Sequence, residues 1–357
     1  MDRAAIRRMV DELGAILSTR DGIRIMEVCG THTVSLFRSG IKSMLPSSLK
    51  LISGPGCPVC VTSQGYLDAA CELAARPDVT ICTYGDMVRV PGRHGSLADR
   101  RGGGAEVIVV YSARDALKYA EDHPDRNTAF LAIGFETTTP ATAATILAAK
   151  AKGLENFFIL PAHKLVIPAM KALVSGGDVP LDGFLCPGHV SVVIGADAYR
   201  PIAEKFGKPC VVAGFEPRQM LEGILGIARQ LAEGRSQVDN VYGVAVTREG
   251  NPLARDLMDK VFIAADAVWR AMGTIPMSGL DLRPEYKCFD AFDHFGVEQG
   301  PDVSPDGCLC GEVIQGKSEP ADCALFGVAC SPLSPVGPCM VSSEGACAAW
   351  YKYHRKA

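Results

Sequence analysis

The sequence predicts an α/β protein in which two doubly wound, parallel-sheet units flank a cleft, followed by a loop-rich C-terminal domain organised by metal. Three observations lead there. Through most of the 357 residues, short apolar runs alternate with helix-length stretches, the order that a parallel sheet and its crossover helices require. The chain is long for a single core, so more than one domain is expected. From Pro284 onward the alternation fades, and Gly, Pro and Cys take over.

Residues 1–18, MDRAAIRRMVDELGAILS, place Ile6, Met9, Val10, Leu13, Ile16 and Leu17 at helical spacing with charges opposite, and show no signal-peptide core. A helix is therefore expected within 1–21, with the C-terminal domain as a candidate surface for it to pack on. Apolar runs at 23–28, 50–53, 79–84, 107–111, 129–133, 157–160, 183–185, 210–213 and 241–246 read as strands. Helices are expected at 64–75, 113–122, 140–151 and 217–233. Nine strands are many for one sheet, and the polar DHPDRN stretch at 122–127 is turn-prone. The expected division is a first α/β unit over 22–125, a second over 126–280 and the metal-organised domain over 281–357.

The net charge is −4 and the pI about 6.0, with neither a basic stripe nor an aromatic RNA-binding motif, which argues against nucleic acid as a partner. No apolar run reaches the roughly 18–20 residues of a membrane span, so a cytoplasmic protein is expected. Fourteen cysteines in such a chain point to metal or redox chemistry rather than to a disulfide framework. Six of them fall between residues 308 and 347, and three lie in the first sixty residues.

Several apolar runs end in a short polar or Gly/Pro-rich motif: IMEV–CGTHT, LIS–GPGCPVC, LAI–GFETT, LCPGHVS and VVA–GFEP. Ligands of parallel sheets bind beyond the carboxyl ends of the strands, so the Cys, His and Glu side chains of these motifs are expected to converge on one cleft. The competing reading is a set of ordinary strand-to-helix loops.

The C-terminal spacing is Cys308-x14-Cys323-x6-Cys330-x16-Cys347. Four thiolates match the ligand set of a [4Fe–4S] cluster. Structural zinc also takes four cysteines, usually as two close knuckles, and disulfides or inert thiols are the third alternative. Cys310 and Cys339 are left over as a candidate dithiol pair beside the cluster, and spacing does not decide between Cys308 and Cys310 as ligand. Gly311–Ser318, GEVIQGKS, matches the P-loop pattern, but Pro320 and the flanking cysteines argue against a phosphate-binding helix start.

Nearer the N-terminus, Cys57-Pro58-Val59-Cys60 has the spacing of a redox dithiol, with half a zinc knuckle or inert thiols as rivals. Cys29-Gly30-Thr31-His32-Thr33 sets a soft thiolate three positions before an imidazole at a strand end, suited to iron. Glu136 in GFETT, His163 in PAHK and His189 in PGHVS are weaker candidates on their own. Cys71 and Cys82 read as core packing, and Cys186 stays open because it adjoins the PGH loop.

Together these motifs resemble the HypD family of [NiFe]-hydrogenase maturation proteins. The resemblance runs through CGTHT at 29–33, GPGCPVC at 54–60, GFETTTPATA at 134–143, PAHK at 161–164, CPGHVSVVIG at 186–195, GFEP at 214–217 and ADCALFGVAC…GPCMVSSEGAC ending at 347. It implies a [4Fe–4S] cluster rather than zinc, held by Cys308, Cys323, Cys330 and Cys347. It also implies a stable complex with HypC on which Fe(CN)2CO is assembled. Cyanide would come from HypE, as a thiocyanate made from carbamoyl phosphate with the help of HypF, and the finished unit would pass to the hydrogenase large-subunit precursor. Cys29 would ligate the nascent Fe(II), with Thr31, His32 and Thr33 around it and His189 facing the iron. Cys57 and Cys60 would be the redox pair, fed through Cys310 and Cys339. A reading of a different class is an iron–sulfur thiol–disulfide oxidoreductase resembling ferredoxin–thioredoxin reductase.

Overall fold

A computed structural model describes residues 3–353; the first two residues of the expected N-terminal segment and the last four of the expected metal domain lie outside the described residues. Two parallel sheets form the frame. One has the order β2-β1-β7-β8-β9, built from β1 (Ile23–Glu27), β2 (Leu49–Ser53), β7 (Gly183–Pro187), β8 (Cys210–Ala213) and β9 (Val238–Asn240). The other has the order β4-β3-β5-β6, built from β3 (Val79–Thr83), β4 (Glu106–Val109), β5 (Asn127–Gly134) and β6 (Phe157–His163). All pairings within both sheets are parallel. The α/β fold class is as expected, since strands such as VTICT and FLAI are buried on both faces and need helices over each.

The expected boundary at 125/126 does not follow the strands. The chain leaves the first sheet after β2, builds the whole second sheet, and returns to pair β7 with β1 in the register Ile25↔Gly183. The first unit is thus discontinuous, and the 22–125 and 126–280 division cuts through both sheets. Apolar periodicity tells that a segment is a strand but not which strand it lies beside.

The N-terminal helix also sits elsewhere than the candidate surface. Helix α1 (Arg3–Leu17) buries Leu13 and Leu17 against Met220, Ile224 and Ile227, not against the C-terminal domain. Its Glu12 pairs with Arg229 at 2.6 Å on the rim of that contact. The last expected strand, 241–246, is a turn, because Asn240 Oδ1 accepts from the Tyr242 amide and Tyr242 O accepts from Ala245 and Val246. Its place on the sheet edge is taken by β9. A further pair had no counterpart in the sequence reading: β10 (Phe262–Trp269) and β11 (Gly273–Leu282) form an antiparallel hairpin beside the second sheet.

The helices that position functional groups are α2 (Gly30–Arg38), α3 (Pro58–Val61), α4 (Gln64–Ala74), α5 (Ala113–Asp122), α6 (Thr139–Ala151), α7 (Val166–Gly176), α8 (Gly188–Ile194), α9 (Pro217–Ala232), α10 (Cys310–Ile314), α11 (Pro338–Val341) and α12 (Ala346–Tyr353). Local chemistry sets their starts: Ser63 Oγ caps α4 through the Tyr66 amide, and Ser112 Oγ caps α5 through Asp115. The C-terminal region docks on the first unit through α12 on α2, with the Phe37 and Trp350 rings at 5.8 Å, and through α11 on α3. The P-loop-like segment has a helix, α10, where a phosphate loop would begin, and Lys317 Nζ pairs with Asp178 at 2.9 Å. Among the described residues no helix is long and apolar enough to cross a membrane.

Candidate functional site

Each sheet has one place where the strand order reverses direction: between β1 and β7 in the first and between β3 and β5 in the second. In open α/β sheets the space beyond the strand ends at such a point is a preformed crevice. Here the two crevices face one another. They share a cleft of about 770 Å³ lined by Cys29 and Thr31 after β1, His189 after β7, Tyr84 and Asp86 after β3, and Phe135 and Thr137 after β5.

Cys29 occupies the N-cap of α2, with extended backbone. Burial pushes its thiol up to about 11, with a smaller upward push from the Glu344 carboxylate; the His32 and Thr31 amides and the Thr31 hydroxyl pull the other way. The group is therefore a protonated thiol until something stronger than a proton claims it. A metal ion does this readily. Thr31 Oγ1 donates to Glu344 Oε1 at 2.6 Å, and Ser342, Ser343 and Glu344 close the far wall of the cleft.

The two histidines behave differently. The His189 ring is exposed at the cleft and stacks on Phe215 at 3.9 Å; partial burial lowers its pKa, and Glu344 opposes that. His32 is fully buried and does not line the cleft. Its Nε2 lies 3.2 and 3.0 Å from the carbonyl oxygens of Ala213 and Gly214, so Nε2 carries the proton and Nδ1 is left bare, without a partner. Burial pulls its pKa down to about 4, so it is neutral and pins the start of α2 to the end of β8. Glu136 is likewise behind the wall: Oε1 accepts from the Val166 amide at the start of α7, Oε2 has no partner, and burial raises the pKa to about 7. His163 is also buried, with Nε2 3.4 Å from Thr142 Oγ1.

Cys57 and Cys60 form a disulfide with Cα atoms 5.3 Å apart, and Pro58 and Val59 between them line the cleft. Gly56 lets this loop lie on the Cys29 backbone: a Cβ there would fall 2.4 Å from Cys29 N. The disulfide is buried, and α11, which carries Cys339, packs on the short helix that follows Cys57.

The C-terminal cysteines gather below. Cys308, Cys310, Cys323, Cys330 and Cys347 line a small enclosed cavity together with Leu309, Leu325, Phe326 and Met340. Cys339 stands just outside it, fully buried, in hydrogen-bonding contact with both Cys310 and Cys347. Cys310 and Cys339 donate to Cys347, which holds its pKa well below the usual thiol range. Val336 N donates to Cys330 Sγ at 3.3 Å, and a Cβ on Gly337 would fall 2.7 Å from Cys308 Sγ and 2.8 Å from Cys310 Sγ. Soft donors, apolar walls and a backbone N–H aimed at sulfur fit an iron–sulfur group. Among the described residues, no three His, Cys, Asp or Glu side chains are gathered as ligands of a single metal ion.

The structure thus brings Cys29, His189 and the Cys57–Cys60 loop to one cleft, and five cysteines to one cavity. It keeps His32 and Glu136 in supporting positions. Glu344 was missed by sequence reasoning; its only signal was its place in VSSEGAC, three residues before Cys347. Cys71 and Cys82 are core thiols as expected, and Cys186 proves to be one also, beside Cys210 across β7 and β8.

A family model described as "HypD: Hydrogenase formation hypA family" matches residues 4–354. The chain is 47% identical to the hydrogenase maturation factor HypD of Azotobacter vinelandii, over 99% of this chain and 96% of that one. It is 46% identical to the hydrogenase expression/formation protein HupD of Azotobacter chroococcum mcd 1, with the same coverage. It is also 46% identical to the hydrogenase maturation factor HypD of Escherichia coli strain K12, over 94% of this chain and 90% of that one.

Proposed function

The chain belongs to the HypD family of hydrogenase maturation factors, and from that premise we propose that it is the scaffold on which Fe(CN)2CO is assembled, with iron held at Cys29 in the cleft. One observation carries the reading. A buried thiol at a helix start, a histidine and a disulfide loop meet where two switch points face each other, and that disulfide rests on the helix of Cys339 beside the cysteine-lined cavity.

The residues divide the work. Cys29 gives up its proton to bind the iron, and the Thr31 and His32 amides then face a metal-bound sulfur. His189, exposed at the cleft and stacked on Phe215, hydrogen-bonds the iron's diatomic ligands in this reading. Neutral His32 and the Glu136 carboxyl keep α2 and α7 in place around the cleft. HypC is the proposed partner that completes the iron site, and HypE, with HypF upstream, the proposed cyanide donor.

Releasing cyanide from a thiocyanate breaks one S–C bond and takes two electrons, leaving a thiolate and CN⁻. A Cys57/Cys60 dithiol supplies two as it closes to the disulfide and gives up two protons. Cys308, Cys323, Cys330 and Cys347 would hold a [4Fe–4S] cluster, which supplies electrons one at a time. Cys310 lines that cavity, and Cys339, just outside it, is carried by the helix that packs on the CxxC helix; these two form the proposed relay.

The test is infrared spectroscopy of the anaerobically purified complex with HypC. Bands of iron-bound CN and CO are expected, absent in Cys29→Ala and lost on replacing Cys57 or Cys60 while cluster absorbance persists. Full bands in Cys29→Ala would remove the iron from this cleft. The disulfide beside the cysteine cavity also favours a second reading, a reductase of partner disulfides like ferredoxin–thioredoxin reductase; it requires thioredoxin-type turnover and no such bands.

A further inference from the structure

The β10–β11 hairpin ends in a turn, Arg270–Met272, that reaches between the CxxC segment and the C-terminal cysteines. Its backbone is tied to both sides. Arg270 N donates to Val61 O at 2.9 Å, and Gln315, just past α10, donates through Nε2 to Ala271 O at 2.9 Å. Gly311, next to Cys310, approaches so closely that a Cβ there would fall 2.1 Å from Ala271 Cβ. Ala271 is held at φ 56°, a left-handed conformation that an alanine rarely adopts. Asp302 fixes the turn by accepting from the Gln64 amide and the Ala271 amide, each at 2.7 Å.

The side chain at this tip is a guanidinium that is only 1% exposed. Its Nε donates to Thr62 O at 2.8 Å and its Nη1 to Gln64 Oε1 at 3.1 Å, while Nη2 has no partner. Burial lowers its pKa, and the Asp302 carboxylate is the foremost charge opposing that. Burying a cation with one unused donor is costly, and Lys164, also buried, draws on the same Asp302. Nη2 is thus a buried donor still free to serve a negative charge that appears nearby.

We propose that Arg270 is a positioning residue of the CxxC pair: the hairpin tip holds a permanent positive charge against the Val61–Thr62 backbone that follows Cys60, and so favours the reduced, thiolate-bearing state of Cys57 and Cys60 over their disulfide. This rests on the reading of Cys57 and Cys60 as a pair that cycles. Opening the disulfide takes two electrons; with two protons it gives two thiols, and with one proton a thiol and a thiolate, the latter stabilised by the adjacent cation.

The experiment is the equilibrium of Cys57–Cys60 with dithiothreitol, which gives up two electrons and two protons as it closes to its cyclic disulfide. The full chain, purified anaerobically, is poised at a series of reduced-to-oxidised ratios and scored by thiol trapping and mass spectrometry. In Arg270→Gln the equilibrium constant for reduction is expected to fall at least tenfold, about 30 mV for this two-electron couple. Arg270→Lys is expected to stay within threefold of the parent. Asp302→Asn, which removes the competing anion, is expected to shift the constant at least threefold the other way. An Arg270→Gln protein that keeps its near-UV circular dichroism and a constant within twofold of the parent overturns the proposal. So do shifts of the same sign in Arg270→Gln and Asp302→Asn, as a packing lesion would give, and Arg270→Lys falling as far as Arg270→Gln. Should Arg270→Gln not fold, Asp302→Asn decides by its sign, and no shift in it overturns the proposal. A pair that stays closed at every ratio in the parent sinks the relay itself, whereas a pair that opens normally in Arg270→Gln sinks only the role of Arg270.

Discussion

Cys29 is a thiol whose surroundings hold it protonated, against the iron-binding task proposed for it. Burial is the larger effect and Glu344 a smaller one in the same direction. Replacing Glu344 by Gln removes only the second. Alkylation of Cys29 at pH 8–9 should then run about two- to tenfold faster, read by mass spectrometry, with exposed Cys288 as internal reference. An unchanged rate would mean that the Glu344 charge is not felt at the sulfur. Glu136 gives a pH signature of its own. Unfolded, its carboxyl loses the proton near 4.5, whereas the folded state keeps it to about 7. Between these values the folded state binds more protons, so stability falls as pH rises through the window, by at most roughly 3 kcal/mol. Glu136→Gln should flatten that fall in urea titrations run from pH 4.5 to 7.5; an identical slope would show that Glu136 is already ionised. Cys29, Cys57, Cys60 and His189 were legible in sequence because each sits in a dense motif with a known chemistry. Glu344 was not, since a lone carboxylate in a serine-rich stretch has no spacing to betray it.

At the level of elements, eight of the nine expected strands stand within a few residues of their places, because a run buried on both faces is apolar throughout. The exceptions have physical causes. An Asx turn at Asn240 takes the apolar 241–246 segment out of the sheet. The β10–β11 hairpin escaped notice because its strands are only part-buried, with exposed Ile263 and Met277, and because it follows directly on a helix, Pro252–Val261. Close packing of loops is equally invisible to periodicity. Gly56 lies on the Cys29 backbone with no room for a methyl group, so Gly56→Ala should cost about 2 kcal/mol or more in urea unfolding and displace the CxxC loop. A protein as stable as the parent would show that the loop can yield there.

For the whole molecule, the path of the chain matters more than its composition. Because β1 completes its sheet with β7, β8 and β9, a fragment ending at residue 125 holds two strands of one sheet and two of the other. It should show no cooperative unfolding by circular dichroism, whereas a fragment running from residue 76 to 176 contains the entire second sheet. A sharp urea transition in the 1–125 fragment would contradict this account of the core. Such long-range pairing is also why the class of fold was readable from sequence and the division into units was not: the pairing that joins the two halves of the first sheet, β1 with β7, brings together residues more than a hundred positions apart.

The wall of the cleft made by Ser342, Ser343 and Glu344 has a consequence in time as well as in space. During synthesis every strand of both sheets leaves the ribosome before that wall does, and so do Cys29, Cys57 and Cys60. A nascent chain can therefore hold a folded frame with the Cys29 thiol still uncovered on one side. The cleft gains this wall only when the segment carrying Cys339 and Cys347 arrives, so the wall and the last two C-terminal cysteines are delivered together. A product truncated before residue 339 would lack both at once, a frame with neither the wall of its cleft nor its last two cysteines.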